Sequence, residues 1–287
     1  MPKHLRKAFS MLELIFVIII LGIVSSIGAD IIANVYEGYI IQRAQHRASI
    51  KTELAALQIA NRLAYAIPGT VVRKNGTAVG GTDINELGNA TDTTLQWVGA
   101  DADSFKAINN GAGANRRRPG WNGFCDVDAS GDTNISTPGS NLNLATTIIG
   151  NLSKDAGGAN LRTLANTRIY FPLKTGLRGY DVASGVGEII TLDPPDPLDP
   201  PVKIAEHYKL AWSSYALVTV GNNLWLHYNF APTRGVVVPN NFRRLLLRNV
   251  TTFEFRGDGR TIRFKLCAQE DIGADFNVTI CKEKAVF

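Results

Sequence analysis

The stretch that decides the fold spans residues 7–29 and has the sequence KAFSMLELIFVIIILGIVSSIGA. After its first residue it contains a single charged side chain, Glu13. An apolar run of about 20 residues is the length that an α-helix needs to span a bilayer. Basic residues in front of such a run stay on the cytoplasmic side, and here they are Lys3, Arg6 and Lys7. The sequence therefore predicts a membrane-spanning helix near the N-terminus.

Two simpler interpretations do not account for all residues of this segment. An ordinary secretory signal peptide has a shorter apolar core followed by a small-residue cleavage site. Here the small residue, Ala8, precedes a long run. A plain signal anchor has no use for Glu13, because a carboxylate inside a membrane helix costs several kcal/mol unless it has a partner. The charge at Glu13 therefore indicates a functional role.

The motif Lys7-Ala8-Phe9-Ser10-Met11-Leu12-Glu13, with its apolar run, resembles the cleavage and methylation signature of type IV pilins and type II secretion pseudopilins. The resemblance implies that residues 1–8 are a prepilin leader, that a prepilin peptidase cuts between Ala8 and Phe9, and that Phe9 is then N-methylated. The family usually has Gly before the cut, where this chain has Ala8. Glu13 is then the family's assembly glutamate. Its carboxylate neutralises the Phe9 amine of a neighbouring subunit, a pairing that low dielectric favours.

The helical pattern continues beyond the membrane segment. Residues 30–66 contain no proline and one glycine, and Pro68-Gly69 follows them. We therefore predict one helix from Phe9 to Ala66, with residues 9–29 as the transmembrane and assembly part and 30–66 as an amphipathic continuation. The first half is expected to pack on lipid or on other copies. In the second half, apolar residues at helical spacing are predicted to face the core of the head: Ile50, Leu54, Leu57 and Ala64.

Residues 67–287 are predicted to form one β-rich head. The strand-like segments are rich in Val, Ile, Thr and aromatic residues, and they are 70–73, 94–99, 168–172, 187–192, 208–220, 224–230, 250–256, 260–267 and 276–281. Two hairpins turn at residues 221–223 and 257–259, where Gly, Asn and Asp tolerate positive φ. The fold class is therefore α+β. The resemblance implies a pilin-like lollipop, in which the long helix packs on an antiparallel sheet.

Two parts of the head are predicted to be loops. Residues 100–165 are rich in Asn, Gly, Asp and Ser, and they are interpreted as a long decorated loop region. Residues 193–201 are dense in proline and are expected to be extended. With 287 residues the chain is longer than typical major pilins, so the resemblance implies a larger minor subunit.

The cysteine pattern argues against a zinc or iron–sulfur site, because none of the three cysteines is in a CxxC pair and there are only four histidines. Cys267 and Cys281 lie near the C-terminus, 14 positions apart, on or beside the last two strands. Pilins often close their C-terminal region with a disulfide, so the resemblance favours a Cys267–Cys281 bridge. Two reduced thiols, or a pairing that involves Cys125, are the alternatives.

Two loop motifs have weaker functional interpretations. Asp126, Asp128, Ser130 and Asp132 alternate as in the first part of a calcium-binding loop, but Thr137 stands where a bidentate Glu is expected. An ordinary Asp/Gly/Ser turn is the main interpretation of that segment, with calcium as the alternative. The run 116–118 is three arginines near Trp121, which suggests phosphate contacts. A solvated loop is favoured over DNA binding, because three of the basic residues behind the net charge of +5 lie in the leader.

Enzyme signatures are missing from the sequence, which has no GxSxG, HExxH, Walker or GxGxxG motif after a strand. His207 and His227 are interpreted as packing residues. We therefore predict a structural protein without a cofactor: a minor pilin or pseudopilin of a type IV pilus or type II secretion pseudopilus. Its expected partners are other pilin or pseudopilin subunits, the prepilin peptidase, the inner-membrane assembly platform and the lipid bilayer.

The expected location is the inner membrane, crossed once, with the head in the periplasm or on an extracellular filament. The alternative is a permanently anchored periplasmic module whose head binds a ligand, a surface or DNA. Processing of the leader and the effect of Glu13→Ala on assembly distinguish the two.

Overall fold

The structure, a computed structural model, describes residues 10–89, 91–109, 113, 117–155, 157–172, 177–194, 202–272 and 276–287. The helices in these residues are α1 (Met11–Leu63), α2 (Ala102–Lys106) and α3 (Leu142–Leu152), with a 3-10 turn at Leu164–Asn166. The strands are β1 (Val72–Lys74), β2 (Thr82–Asp83), β3 (Thr94–Gly99), β4 (Asn134–Ser136), β5 (Arg168–Tyr170), β6 (Gly179–Val186), β7 (Ile189–Leu192), β8 (Lys209–Ala211), β9 (Ser213–Val220), β10 (Asn223–Phe230), β11 (Arg243–Arg248), β12 (Val250–Asp258), β13 (Thr261–Asp271) and β14 (Asn277–Val286).

α1 is one continuous helix of 53 residues, about 80 Å long at 1.5 Å per residue. Ser10 caps its start, because the Ser10 hydroxyl accepts a hydrogen bond from the backbone N–H of Glu13 at 3.3 Å. After Leu63 the chain turns into the head, where the N–H of Ile67 donates to the carbonyl of Val98 at 2.9 Å. The predicted helix is confirmed over Met11–Leu63, and residue 9 lies outside the described part of the chain.

The described strands form three antiparallel sheets, which confirms the α+β class. The sheet orders are β11-β10-β9-β3-β1-β2, β12-β13-β14 and β4-β7-β6-β5-β8. Both predicted hairpins are present, as β9–β10 and β12–β13. Each turns through two residues, and the first of them is a glycine at positive φ, Gly221 or Gly259.

The C-terminal half of α1 lies against two sheets at once. It contacts β3 and β11 of the six-stranded sheet and β13 and β14 of the three-stranded sheet. One core therefore joins the helix to both sheets, and it includes Ala55, Ala56, Ile59, Leu63, Leu95, Trp97, Leu217, Phe264 and Leu266. Since alanines form much of the inner helix face, the strands approach the helix backbone closely.

The prediction that residues 100–165 are a decorated loop region is wrong. This segment contains α2, β4 and α3, and it builds a second core against the five-stranded sheet. α3 buries Leu142, Ala145 and Ile149, which recur at helical spacing. Thr146 donates its hydroxyl hydrogen to the Leu142 carbonyl at 3.0 Å, so a β-branched polar residue is satisfied inside the helix.

The sequence does not predict β6 or β11. β6 contains two glycines that accept close neighbours: a Cβ at Gly179 would lie 2.6 Å from the Tyr170 ring, and one at Gly185 would lie 2.2 Å from Leu164. β11 carries three leucines in a row between arginines, so it lacks the alternation expected of a half-buried strand. Of the proline-rich segment, residues 195–201 lie outside the described part of the chain.

Candidate helix interaction site

The N-terminal half of α1 extends away from the head. It is long and apolar enough to cross a membrane, and none of the residues in its most apolar 18-residue window is buried. Its large side chains are all exposed, including Ile15, Phe16, Ile19, Leu21 and Val24. Since monomeric soluble proteins rarely expose apolar patches of this size, this half of the helix needs lipid or another protein around it.

Glu13 lies in the first turn of this exposed half. Its backbone N–H bonds to Ser10, and its position three residues after the cap is the one that glutamate takes in a capping box. A carboxylate there also interacts favourably with the positive end of the helix dipole. Ala8 and Phe9, the predicted cleavage site, lie outside the described residues. The structure thus places Glu13 at the tip of the helix, without a charged partner in the described part of the chain.

The head covers one face of α1 from Ala44 onward. The buried residues of this inner face are Ala44, Ala48, Thr52, Ala55, Ala56, Ile59 and Leu63. Ile59 is 1% exposed, whereas Leu54 is 56% exposed. Ile50 and Leu57 are exposed as well, since they lie on the side of the helix opposite Ile59. The prediction that Ile50, Leu54, Leu57 and Ala64 face the core is therefore wrong.

An exposed apolar face lies on two parts of α1, which are separated by the exposed Arg43 and His46 on the same side of the helix. Below the head, Ile32, Tyr36 and Tyr39 are exposed at spacings of four and three residues, and they lie on the same side of the helix as Ile50. We call this face the outer stripe and define it as Ile32, Tyr36, Tyr39, Ile50, Leu54 and Leu57. A groove of about 610 Å³ flanks it, between Leu54 of the helix and Leu245 and Leu246 of β11. Within the outer stripe, only Ile50, Leu54 and Leu57 were predicted to face the core.

Two groups of ion pairs hold α1 on the head. Glu53 pairs with Lys284 at 2.6 Å and with Lys282 at 3.7 Å, and both lysines lie on β14. The hydrogen bond from Lys284 holds the pKa of Glu53 below its ordinary value. On β13, Glu270 accepts from Lys51 at 2.9 Å. These pairs are not visible in the sequence, because the lysine and glutamate partners are more than 200 positions away from the helix.

The C-terminal strands are covalently linked. Cys267 on β13 and Cys281 on β14 are directly opposite each other and form a disulfide. This is the pairing that the resemblance favours. Cys125 is a free, buried thiol, and burial raises its pKa, so it stays protonated at neutral pH. The Cys267–Cys281 disulfide ties β14, the edge strand that carries Lys282 and Lys284, to β13.

The candidate calcium ligands are not brought together. The Ser130 hydroxyl accepts from the Ser136 N–H at 2.9 Å and donates to the Asp126 carbonyl, and Asp126 Oδ1 accepts from the Ala129 N–H at 3.2 Å. Asp128 and Asp132 are exposed. Within the described ranges, no group of three His, Cys, Asp or Glu side chains is placed to hold a metal ion. The Asp126 and Ser130 side chains are therefore used in hydrogen bonds within the loop itself.

Two of the three arginines in the run 116–118 are described, and of these Arg117 is exposed. Arg118 is paired with Glu188, and Arg116 lies outside the described residues. Trp121 is 1% exposed and donates its indole N–H to the Asp101 carbonyl at 3.0 Å, so it is not available to stack on a base. Arginines nearer the C-terminus are exposed, at positions 243, 244, 248, 256, 260 and 263.

The two histidines differ in environment. His227 is buried and its Nδ1–H donates to the Pro239 carbonyl at 2.7 Å, and burial lowers its pKa. His227 is thus a packing residue, whereas His207 is exposed, contrary to the prediction.

No family model, curated protein or solved structure matches the chain.

Proposed function

We propose that the chain is a pilin-like subunit of a type IV pilus or of a type II secretion pseudopilus, of the larger minor class that its length suggests. In this proposal the leader, residues 1–8, is removed before Phe9, and the subunit assembles through α1. The apolar half of α1 then spans the inner membrane before assembly, with the head on the periplasmic side. The head contributes no catalytic step and no cofactor to this function.

The observation that carries the proposal is the length of the outer stripe. The hydrocarbon core of a bilayer is about 30 Å thick, so about 20 residues of α1 are sufficient for a membrane anchor. Past that point the stripe has Tyr36 and Tyr39 and, beyond the exposed Arg43 and His46, it resumes at Ile50 and reaches Leu57. Lipid tails do not reach this part of the helix. An apolar face with this helical spacing is suited to packing against another helix, as in helix bundles.

The same feature separates the proposal from its alternative. A permanently anchored binding module needs apolar residues only within the bilayer, and its helix is expected to be polar outside the inner face. Here the face opposite Ile59 is apolar next to the head itself, at Ile50, Leu54 and Leu57. This arrangement favours a subunit that is surrounded by the helices of other subunits.

Glu13 has a chemical role in such an assembly. Removal of the leader creates a cationic amine at Phe9, and two isolated charges in the membrane are costly. When helices bundle, the Glu13 carboxylate of one subunit neutralises the Phe9 amine of a neighbour. The pairing stabilises the bundle in low dielectric, since each charge otherwise remains without a partner.

Substitution of Glu13 tests this function. The Glu13→Ala variant, co-expressed with a prepilin peptidase and a pilus or secretion assembly system, should insert into the membrane but fail to enter filaments. Glu86→Ala, at an exposed carboxylate of the head, is the matched control and should enter filaments normally. Normal incorporation of the Glu13→Ala variant would contradict the proposed role. Absence of the wild-type chain from filaments would contradict the function itself.

A further inference from the structure

A small pocket lies in the head, with a volume of about 310 Å³. It is lined by positions 161 and 162 before the 3-10 turn, 229 and 230 at the end of β10, and 239, 241 and 242 before β11. Small-molecule sites of this size combine apolar walls with a few polar groups that orient the ligand. Leu161, Phe230, Pro239 and Phe242 form apolar walls of this kind.

Arg162 is the cation of this pocket, and it has no anionic partner. Its side chain is half-buried, and its guanidinium makes no ion pair or hydrogen bond with the described residues. Burial lowers the pKa of Arg162, and no neighbouring charge offsets this effect. No acidic side chain is among the residues described around the pocket. Since arginine remains charged in proteins and a buried charge is costly without a partner, the pocket is suited to a small anion.

Asn229 is a second polar group of the pocket. It is 6% exposed, and its Oδ1 has no hydrogen-bond partner in the described part of the chain. Its backbone has a φ of 56° at an irregularity of β10, which is uncommon for residues other than glycine. Positions with such backbone angles concentrate at functional sites. Asn229 therefore offers the pocket a buried acceptor at a specially shaped part of the strand.

Hydrogen bonds hold the sides of the pocket together. Asn229 Nδ2 donates to the Ser153 carbonyl at 3.3 Å, and Ser153 Oγ accepts from the Arg162 N–H at 3.0 Å. The Asn229 amide thus reaches from β10 to the segment that carries Arg162. At the third side, the Nδ1–H of His227 donates to the Pro239 carbonyl at 2.7 Å. The pocket is therefore shaped before a ligand binds, which lowers the cost of binding.

The polar groups define the chemistry of the ligand. A guanidinium matches a planar carboxylate through two parallel hydrogen bonds. A phosphate monoester carries nearly two negative charges, whereas Arg162 is the only cation among the described lining residues, so a carboxylate fits better. Asn229 Oδ1 can only accept, so it requires an O–H or N–H group on the ligand.

We propose that this pocket binds a small hydroxylated carboxylate of the sugar-acid type, with its carboxylate on Arg162, a hydroxyl group on Asn229 and its carbon skeleton against the apolar walls. The inference goes beyond the proposed function and does not depend on it, because residues of the head form the pocket. A filament subunit and an anchored module would both carry it. The head then has a binding role in addition to the assembly role of α1.

Titration of the full chain with glucuronate, followed by ligand-detected NMR in a detergent without a sugar headgroup, tests the site. Glucuronate has about 13 non-hydrogen atoms, so we expect a Kd of about 1 mM. Glucose, which lacks the carboxylate, should not bind at the same concentrations. Arg162→Gln should weaken glucuronate binding about tenfold or more, since a charged hydrogen-bonding partner is lost. Arg260→Gln, at an exposed arginine, removes the same charge and should bind like wild type.

Asn229→Gly tests the second contact, because glycine keeps the positive φ and removes the amide. It should weaken glucuronate binding by about three- to tenfold, and a circular dichroism spectrum like that of wild type checks its fold. The proposal is overturned if glucuronate does not bind at tens of millimolar, if glucose binds equally well, or if Arg162→Gln binds as tightly as Arg260→Gln. Wild-type affinity in Asn229→Gly overturns the contact with Asn229. Entry into filaments is measured separately, so none of these results decides the proposed function.

Discussion

The Glu53 carboxylate on α1 accepts a hydrogen bond from Lys284 Nζ on β14 at 2.6 Å. Glu53 is therefore tied to the strand that ends the chain, and β14 is itself bonded to β13 by the Cys267–Cys281 disulfide. On the other strand of this pair, Glu270 binds Lys51 of the helix. Together these contacts fix the rotation of α1 on the head, and this rotation turns the outer stripe away from the core.

Replacement of Glu53 should weaken the attachment of α1 in a pH-dependent way. Because the pKa of Glu53 is lowered from its ordinary value of 4.5, its contribution to stability is present above the unfolded pKa and is lost as the pH falls through the folded pKa. Glu53→Gln should therefore lower the melting temperature at pH 7 and have little effect in acid. Glu283→Gln is the control, because Glu283 is an exposed carboxylate on β14, the strand that carries Lys284. A Glu53→Gln effect that persists in acid contradicts this assignment.

Leu63 and Leu54, which lie on opposite sides of α1, should respond differently to truncation. Leu63 is 3% exposed in the core, so Leu63→Ala should lower the free energy of unfolding by about 2–5 kcal/mol. Leu54 lies in the outer stripe, so Leu54→Ala should change it by about 0.5 kcal/mol or less. Chemical denaturation of the full chain in detergent measures both. Equal losses in the two variants would place the outer stripe in the core.

Removal of the disulfide should destabilise the C-terminal sheet. The cysteines are 14 positions apart in sequence, and closing a loop of this length is worth about 3 kcal/mol in the chain-entropy model. Cys281→Ser should lower the free energy of unfolding by about that amount. A reductant should lower wild-type stability similarly and leave the variant unchanged. Wild-type protein that is insensitive to reductant speaks against the bridge.

Lys74 should make stability rise with pH in the alkaline range. It is buried and donates to the Ala78 carbonyl at 2.8 Å and the Val236 carbonyl at 2.9 Å, and desolvation lowers its pKa from 10.5 to about 8. Between these two values the unfolded chain binds more protons than the folded chain, so the free energy of unfolding increases with pH.

The comparison of Lys74→Met with wild type isolates this effect. Relative to the variant, wild type should gain stability between pH 8 and pH 10 and show no such gain below pH 8. Unfolding by urea at one pH below 8, at pH 8 and at pH 10 measures the stability difference, and Lys203→Met, at an exposed position, controls for loss of a positive charge. If the difference in the free energy of unfolding between wild type and Lys74→Met does not change with pH, Lys74 is not desolvated.

The sequence predicts the elements whose signals are local. The apolar run with Glu13, the absence of proline up to Pro68, and the glycine turns at Gly221 and Gly259 identify the long helix and both hairpins. α3 is missed because glycine, asparagine and serine surround it, although Leu142, Ala145 and Ile149 have helical spacing. The spacing leads to a helix here because the side chains at these three positions are buried in the second core.

The orientation of α1 could not be predicted from spacing alone, since both of its faces are apolar. Large side chains suggest a core face, yet the head packs on Ala48, Ala55 and Ala56, while Ile50 and Leu54 are exposed. Close approach of the strands requires small residues on the inner face. The ion pairs of Glu53 and Glu270 are also beyond sequence reasoning, because they depend on how distant strands are placed.

The most direct measurement is the intact mass of the membrane-extracted chain after co-expression with an active prepilin peptidase. The predicted product lacks residues 1–8, begins at Phe9 and carries one methyl group on its amine, while the chain expressed without the peptidase keeps the leader. A known pilin in the same cells confirms that the peptidase is active. A chain that retains Met1 under these conditions contradicts its assignment as a pilin-like subunit.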